Sequence, residues 1–171
     1  MARLFSALIP PEPVLDSLAA ALGPIDPPLR AEARAGWHIT LGFYGDGDDL
    51  ATRSAWLAEA VAGLAAPRLR LHGFGTFPKV GWVGLAGVQA DPALHELALA
   101  AGAGVERPYK PHLTLARWKH EEQELGRAAL KSLVGYSSQW WVATEVVLMA
   151  STRTAEGAVY TPVARYELGG T

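Results

Sequence analysis

The chain has 171 residues, of which 50% are apolar and 19% are charged, so it carries enough apolar material for a core and differs from a disordered chain. Because it contains no cysteine, it cannot hold a disulfide, a cysteine-ligated zinc ion or a thiol nucleophile. The 15 basic and 17 acidic residues give a formal net charge of −2, which argues against broad, charge-driven binding of nucleic acid.

The hydropathy pattern argues against a membrane span. Such a span needs about 18 consecutive uncharged apolar residues, and the two most apolar regions are interrupted before that length. Arg53 and Glu59 interrupt residues 50–66, and Glu145 interrupts residues 140–150. The first apolar run is too short for a secretion signal, because prolines follow it at once. We expect a soluble, cytoplasmic, monomeric protein with no membrane partner.

Apolar spacing and turn residues predict strands and helices that alternate along the chain. In chain order, we expect a strand at 3–9, a helix at 12–22, a strand at 37–44, a helix at 50–65, strands at 68–72 and 80–85, a helix at 92–101, a strand at 112–118, a helix at 120–133, and strands at 140–150 and 159–168. This succession indicates the α/β or α+β class. The length predicts one domain or two small fused lobes.

One short motif occurs twice, each time on a predicted strand that precedes a turn and a helix. The first copy is His-Ile-Thr-Leu at residues 38–41, and the second is His-Leu-Thr-Leu at residues 112–115. The copies lie nearly half a chain apart, which is a longer spacing than solenoid repeats have. The sequence therefore predicts a duplicated lobe.

Strand geometry places the polar residues of each motif on one face. Side chains at positions i and i+2 of a strand point the same way, so His38 and Thr40 share a face, as do His112 and Thr114. The aliphatic residues between them point in the opposite direction, into a core. If the two lobes pack about a pseudo-twofold axis, the two pairs face each other across a cleft.

Two imidazoles and two hydroxyls match the needs of phosphodiester cleavage without a metal ion. Near neutral pH, one histidine can take a proton from the nucleophile while the other gives one to the leaving group. The threonine hydroxyls can donate hydrogen bonds to the charged phosphate oxygens. A single His-x-Thr motif would be unremarkable, but two copies in equivalent positions favour a functional role. The remaining histidines lack such a setting and are expected to be structural or exposed: His72, His95 and His120.

Residues that flank the second motif add candidates for phosphate binding. Lys110 and Arg117 carry the positive charge that such a role needs. Lys110 is more simply explained as a solvated loop charge. Strict alternation puts Arg117 on the face opposite His112, so it reaches the site only if the strand ends or twists. Three aromatic residues could stack on a base, although core packing is the simpler role for each: Trp37, Phe74 and Tyr109.

The doubled motif and its flanks resemble the 2H phosphoesterase superfamily, which is named for two His-x-Thr-x motifs. Within it, the chain is most similar to the bacterial and archaeal RNA 2′,3′-cyclic phosphodiesterases, first named 2′-5′ RNA ligases. The resemblance extends over nearly the whole chain and is carried by residues 3–10, 37–45, 73–78, 109–117 and 147–160. Gly42 and Tyr44 depart from the family, where many members have a basic or larger residue and a leucine.

The resemblance implies an α+β fold of one domain, residues 1–171, made of two interleaved, pseudo-symmetric lobes. Each lobe would have an antiparallel sheet flanked by helices, with the active-site cleft between them. The implied substrates are RNA ends or nucleotides that carry a 2′,3′-cyclic phosphate. The implied reaction breaks the bond to O3′ and leaves a 2′-phosphate. A weak, reversible, ATP-independent 2′-5′ ligation is implied as well.

The resemblance also implies a role for each motif residue. His38 would be the general acid and His112 the general base. Thr40, Thr114 and Arg117 would bind the phosphate. The family implies no metal ion and no cofactor. Because the site is pseudo-symmetric, the two histidines could exchange their roles.

Three other functions fit the residues less well. Asp46, Asp48 and Asp49 could indicate a metal site, but their spacing lacks the later glutamate of an EF-hand and suits a polar turn better. The glycines at 73–75 and 102–104 lack the lysine of a phosphate-binding loop and are better explained as turns. A non-catalytic module that binds nucleotides or RNA ends is the strongest rival, although it would not need two imidazoles.

Overall fold

A computed structural model of the chain describes residues 3–79, 81–105 and 107–169. Its helices, in chain order, are α1 (Glu12–Leu22), α2 (Leu50–Val61), α3 (Pro92–Ala100) and α4 (Gln123–Leu130). Its strands are β1 (Arg3–Leu8), β2 (Arg30–Ala31), β3 (Ile39–Asp46), β4 (Arg68–Lys79), β5 (Gly81–Ala90), β6 (His112–Trp118), β7 (Trp141–Val142), β8 (Glu145–Thr154) and β9 (Gly157–Glu167).

The strands form one antiparallel sheet in the order β7-β4-β5-β6-β3-β1-β8-β9, with β2 paired to β6. Apart from β2, the sheet has two halves of four strands each, which meet where β6 pairs with β3. At this junction, Ile39 pairs with Leu113, whereas β4 with β5 and β8 with β9 pair along most of their length. The antiparallel α+β class is therefore confirmed. That residues 1–171 form a single domain of two interleaved lobes remains our prediction.

One face of the sheet is covered by the helices, and the other carries the motif residues. Apolar residues of all four helices join the strands in one main core. Full burial of each leucine or valine side chain in this core stabilises the fold by about 1.5–3 kcal/mol. A smaller cluster lies on the opposite face and is formed by Phe5, Ala7, Val147 and Met149, with Tyr160 packed against it. No helix within the described ranges is long and apolar enough to cross a membrane.

Several predicted elements differ from the observed ones in length. The strand expected to end at 72 continues to Lys79. Gly73, with a φ of 69°, lies in a β-bulge between Leu71 and Phe74, so that the strand resumes its pairing after the glycine. The helix expected to reach 65 ends at Val61, two residues before Gly63, whose φ is 73°. The helix expected at 120–133 is divided into three shorter helical segments: His120–Glu122, Gln123–Leu130 and Lys131–Leu133. The strand expected at 140–150 is divided into two strands: Trp141–Val142 and Glu145–Thr154. Val80, at the start of another predicted strand, lies outside the described residues.

The structure explains why a glycine occupies position 42 of β3. A Cβ atom at Gly42 would collide with the carbonyl oxygen of Ala101, at the C-terminal end of α3. Two hydrogen bonds join the neighbouring elements here. The Gly42 N–H donates to Ser6 Oγ on β1 at 3.1 Å, and the Tyr44 hydroxyl donates to the Ala101 carbonyl at 2.7 Å. Gly42 and Tyr44, the two positions that differ from the family that the sequence resembles, therefore both contact the end of α3 at Ala101.

We predict that Gly42→Ala lowers the free energy of unfolding by about 1–3 kcal/mol, because α3 must move away from β3 to admit the methyl group. Thermal or urea unfolding measures the loss. Gly75→Ala is the matched control, since its Cβ would meet only Leu85 Cδ1 at 3.5 Å, an ordinary contact. Equal stability of the two variants would contradict this explanation.

Candidate active site

The two motifs lie side by side on neighbouring strands. The antiparallel pair Ile39–Leu113 places Thr40 opposite His112 and His38 opposite Thr114 when the register is continued in both directions. Residues opposite each other in an antiparallel pair are separated by about 4.5–5.5 Å between Cα atoms. The aliphatic residues of both motifs are buried in the main core. The four polar side chains therefore share the opposite face, as the alternation predicted.

Both imidazoles are held by the same backbone contact. His38 Nδ1 lies 2.7 Å from the Gly36 carbonyl oxygen, and His112 Nδ1 lies 2.8 Å from the Lys110 carbonyl oxygen. A carbonyl can only accept, so each Nδ1 carries the proton and donates it. This contact fixes the orientation of each ring and makes Nε2 the nitrogen that can exchange a proton with a substrate.

His38 has a perturbed protonation equilibrium. Burial lowers its pKa below the ordinary value, and the positive charges of His112 and Arg117 act in the same direction, while the hydrogen bond to Gly36 opposes them. Its Nε2 lies 3.0 Å from Thr40 Oγ1. In the neutral ring this nitrogen accepts a hydrogen bond from the threonine hydroxyl, so His38 and Thr40 form a coupled pair.

A β-bulge brings Arg117 to the motif face. Thr114 and Ala116 pair with Leu85 and Gly84, which are consecutive in β5. Leu115 is therefore the extra, unpaired residue of a bulge in β6. Leu115 and Ala116 are both buried, and the alternation resumes with Arg117 exposed on the side of His112. The extra residue therefore reverses the predicted orientation of Arg117.

Glu32 and Tyr160 complete the neighbourhood of Arg117, and the sequence did not reveal either of them. The Glu32 N–H donates to the Leu115 carbonyl at 2.8 Å, next to the short pair of β2 with β6. Burial raises the pKa of Glu32, whereas the charge of Arg117 and a hydrogen bond from the Tyr160 hydroxyl lower it. The Tyr160 ring meets His38 edge-on, with 5.1 Å between ring centroids.

Aromatic rings also flank the two histidines. Phe5 lies 4.9 Å from His38 and Phe77 lies 4.9 Å from His112, measured between ring centroids. Phe43 stacks on Phe5 at 5.9 Å and is 62% exposed. An aromatic ring therefore packs against each imidazole, and the exposed Phe43 ring stacks on the ring beside His38.

Two of the three candidate stacking residues, Trp37 and Tyr109, have other contacts. Trp37 is buried, and its indole N–H donates to the Glu32 carbonyl at 3.1 Å. Tyr109 packs against the main core and donates its hydroxyl to the Thr40 carbonyl at 2.7 Å, which ties the segment before β6 to β3. Phe74 is 38% exposed, so the expected core packing is wrong for this residue. Lys110 contributes its backbone carbonyl to the site, through the hydrogen bond from His112.

The three aspartates that follow the first motif have structural partners. Asp46 pairs with Arg3 at 2.9 Å, and Asp48 pairs with Arg53 at 2.5 Å. Asp49 caps α2 by accepting the N–H of residue 52. Within the described ranges, no three potential metal ligands of the His, Cys, Asp or Glu type come together. These aspartates are thus accounted for as parts of the turn between β3 and α2.

Comparison with known proteins gives consistent matches along the chain. The family model of the 2′-5′ RNA ligase superfamily matches residues 14–155. The RNA 2′,3′-cyclic phosphodiesterase of Thermus thermophilus is 32% identical over 98% of this chain and 91% of its own. The RNA 2′,3′-cyclic phosphodiesterase of Geobacillus stearothermophilus is 34% identical over 78% of this chain, and the match spans 46% of that relative's length.

A solved structure agrees with the fold. The Thermus thermophilus protein TT0787 superimposes with a TM-score of 0.74 over 98% of both chains, at 27% sequence identity. The match of the family model over most of the chain and the similarity to the Thermus relative lead to the same assignment. The chain belongs to the 2′-5′ RNA ligase superfamily, the 2H phosphoesterases.

Proposed function

We propose that this protein is an RNA 2′,3′-cyclic phosphodiesterase that converts a terminal cyclic phosphate into a 2′-phosphate. The observation that carries the proposal is the placement of two imidazoles on paired strands, each held at Nδ1 by a backbone carbonyl. Both curated relatives described above bear the name of this activity. The monomeric state and the cytoplasmic location stay predictions.

In the proposed reaction, the phosphate lies over the four motif side chains. Its non-bridging oxygens accept hydrogen bonds from Thr40, Thr114 and the Arg117 guanidinium. His112 Nε2 takes a proton from water as the water oxygen attacks phosphorus. The P–O3′ bond breaks, and His38 Nε2 gives its proton to O3′. The products are a 2′-phosphate and a free 3′-hydroxyl.

The lowered pKa of His38 fits a site that becomes active when substrate binds. In the free protein, burial favours the neutral ring. A bound phosphate places negative charge beside the imidazole and raises its pKa, so that the ring gains the proton it must donate. Once Nε2 is protonated it no longer accepts from Thr40, and that hydroxyl becomes available to the phosphate.

The same groups would support ligation. When the 5′-hydroxyl of a second RNA replaces water, His112 removes its proton and the attack forms a P–O5′ bond as P–O3′ breaks. One phosphate ester bond replaces another, so the exchange needs no ATP. The product is a 2′-5′ linkage, and the step is reversible.

We predict that His38→Ala and His112→Ala each lower turnover of a nucleoside 2′,3′-cyclic phosphate by about 10²-fold or more, because each removes one proton transfer. Thr40→Ala and Thr114→Ala should lose less, since each removes one hydrogen bond. His95→Ala is the matched control, because its side chain is exposed on α3, outside the motif face. Near-normal turnover in either motif-histidine variant would refute the role assigned to it.

We also predict that hydrolysis continues in EDTA and gives only the 2′-phosphate, because His38 and His112 perform the proton transfers and only the bond to O3′ breaks. Phosphorus NMR of the products distinguishes the 2′-phosphate from the 3′-phosphate. Loss of turnover in EDTA would overturn the metal-independent mechanism. Binding of the cyclic phosphate without turnover would instead support a non-catalytic module that binds RNA ends.

A further inference from the structure

We propose that Arg68, Arg70 and Trp140 bind the single-stranded RNA nucleotides on the 5′ side of the cyclic phosphate. These three residues are called the arginine–tryptophan platform below. The inference rests on the proposed function, because it extends the substrate from one terminal nucleotide to the chain behind it. A 2′,3′-cyclic phosphate lies at the 3′ end of an RNA, so the remaining nucleotides must leave the site on its 5′ side.

The platform lies on the same face of the sheet as the motif histidines. Gly87 on β5 pairs with His112, and Gln89, two residues further along β5, pairs with Arg70 on β4. Residues two apart in a strand share a face. The bulge opposite Gly87 adds its extra residue to β4, beyond Arg70, while β5 keeps its alternation, since Ala86 and Val88 both pack against the main core. Trp140 directly precedes β7, which borders β4. Three strand spacings of about 4.8 Å put Trp140 ~15 Å from His112.

The side chains of the platform are stacked and exposed. The guanidinium carbon of Arg68 lies 4.4 Å from the centroid of the Trp140 ring, and that of Arg70 lies 4.8 Å from it. The indole is 37% exposed. A cluster of flat cationic and aromatic groups at the surface offers both phosphate contacts and faces for base stacking.

The positive charge of the platform is not neutralised within the described part of the chain. Arg70 donates to the neutral amide of Gln89 at 2.8 Å. The Asp91 carboxylate accepts the backbone N–H groups of Arg68 and Ala93. By contrast, four other arginines form ion pairs with carboxylates: Arg3, Arg34, Arg53 and Arg165. The two platform arginines therefore remain available to an anionic ligand.

Single-stranded RNA fits this surface better than a protein partner does. Proteins that bind single strands combine cationic side chains along the backbone with aromatic or guanidinium planes on which bases stack. Because the formal net charge is −2, attraction of RNA has to come from local cations such as these two arginines rather than from an overall basic excess. The proposed contacts begin a few nucleotides from the reacting phosphate.

The test compares two substrates, a nucleoside 2′,3′-cyclic phosphate and a single-stranded RNA of about eight nucleotides that ends in the same group. We expect wild-type protein to prefer the longer substrate in kcat/KM. Trp140→Ala, and the double change Arg68→Ala with Arg70→Ala, should each reduce this preference about tenfold. The double change Arg127→Ala with Lys131→Ala is the charge control, because both residues are exposed on and after α4, on the helix-covered side.

A second measurement keeps this inference separate from the proposed function. Fluorescence anisotropy reports binding of a labelled RNA of the same length that ends in a 3′-phosphate. Weaker binding in the platform variants, together with no turnover by wild-type protein, would support the platform and refute the cyclic phosphodiesterase. Turnover without any preference for the longer RNA would overturn the platform alone. An equal loss in the charge control would also overturn it, since general electrostatics would then explain the effect.

Discussion

The antiparallel contact between β3 and β6 is the constraint on which the candidate site depends. Among the residues that the structure describes, this contact has the single pair Ile39–Leu113, yet this pair places one motif beside the other. The hydrogen bond from the Tyr109 hydroxyl to the Thr40 carbonyl joins the same two segments. The buried aliphatic residues of both motifs anchor the strands to the helices behind them. A shift of one residue in this register would turn one motif away from the other.

Both motif strands use an irregularity to place a residue beyond the motif on the same face. In β6, the extra residue Leu115 turns Arg117 towards the histidines. In β3, the register with β1 shifts between Thr40 and Phe43, and the two residues between them are both buried. Each motif strand therefore contains an extra residue. In β6 it brings a cation beside the motif, and in β3 it brings an exposed phenyl ring. The two motifs therefore differ in their immediate neighbours.

The sequence predicted the faces of the motif residues because alternation in a strand is a local property. It did not predict the orientation of Arg117, since a bulge becomes visible only against the partner strand. It missed Glu32 because the neighbouring strand β2 has two residues, too few for a pattern. It missed Tyr160 because this side chain reaches the site through the folding of the last hairpin. The faces of the motif residues could therefore be predicted, whereas the side chains that reach them from distant parts of the sequence could not.

The pH dependence of kcat/KM tests the central claim that two histidines carry the proton transfers. Wild-type protein should give a bell-shaped profile, because one imidazole must be neutral and the other protonated. His38→Ala should keep only the limb that rises with pH, since the remaining base must lose its proton. His112→Ala should keep only the limb that falls with pH, since the remaining acid must hold its proton. The opposite pattern would exchange the two roles, and an unchanged bell in either variant would contradict the account.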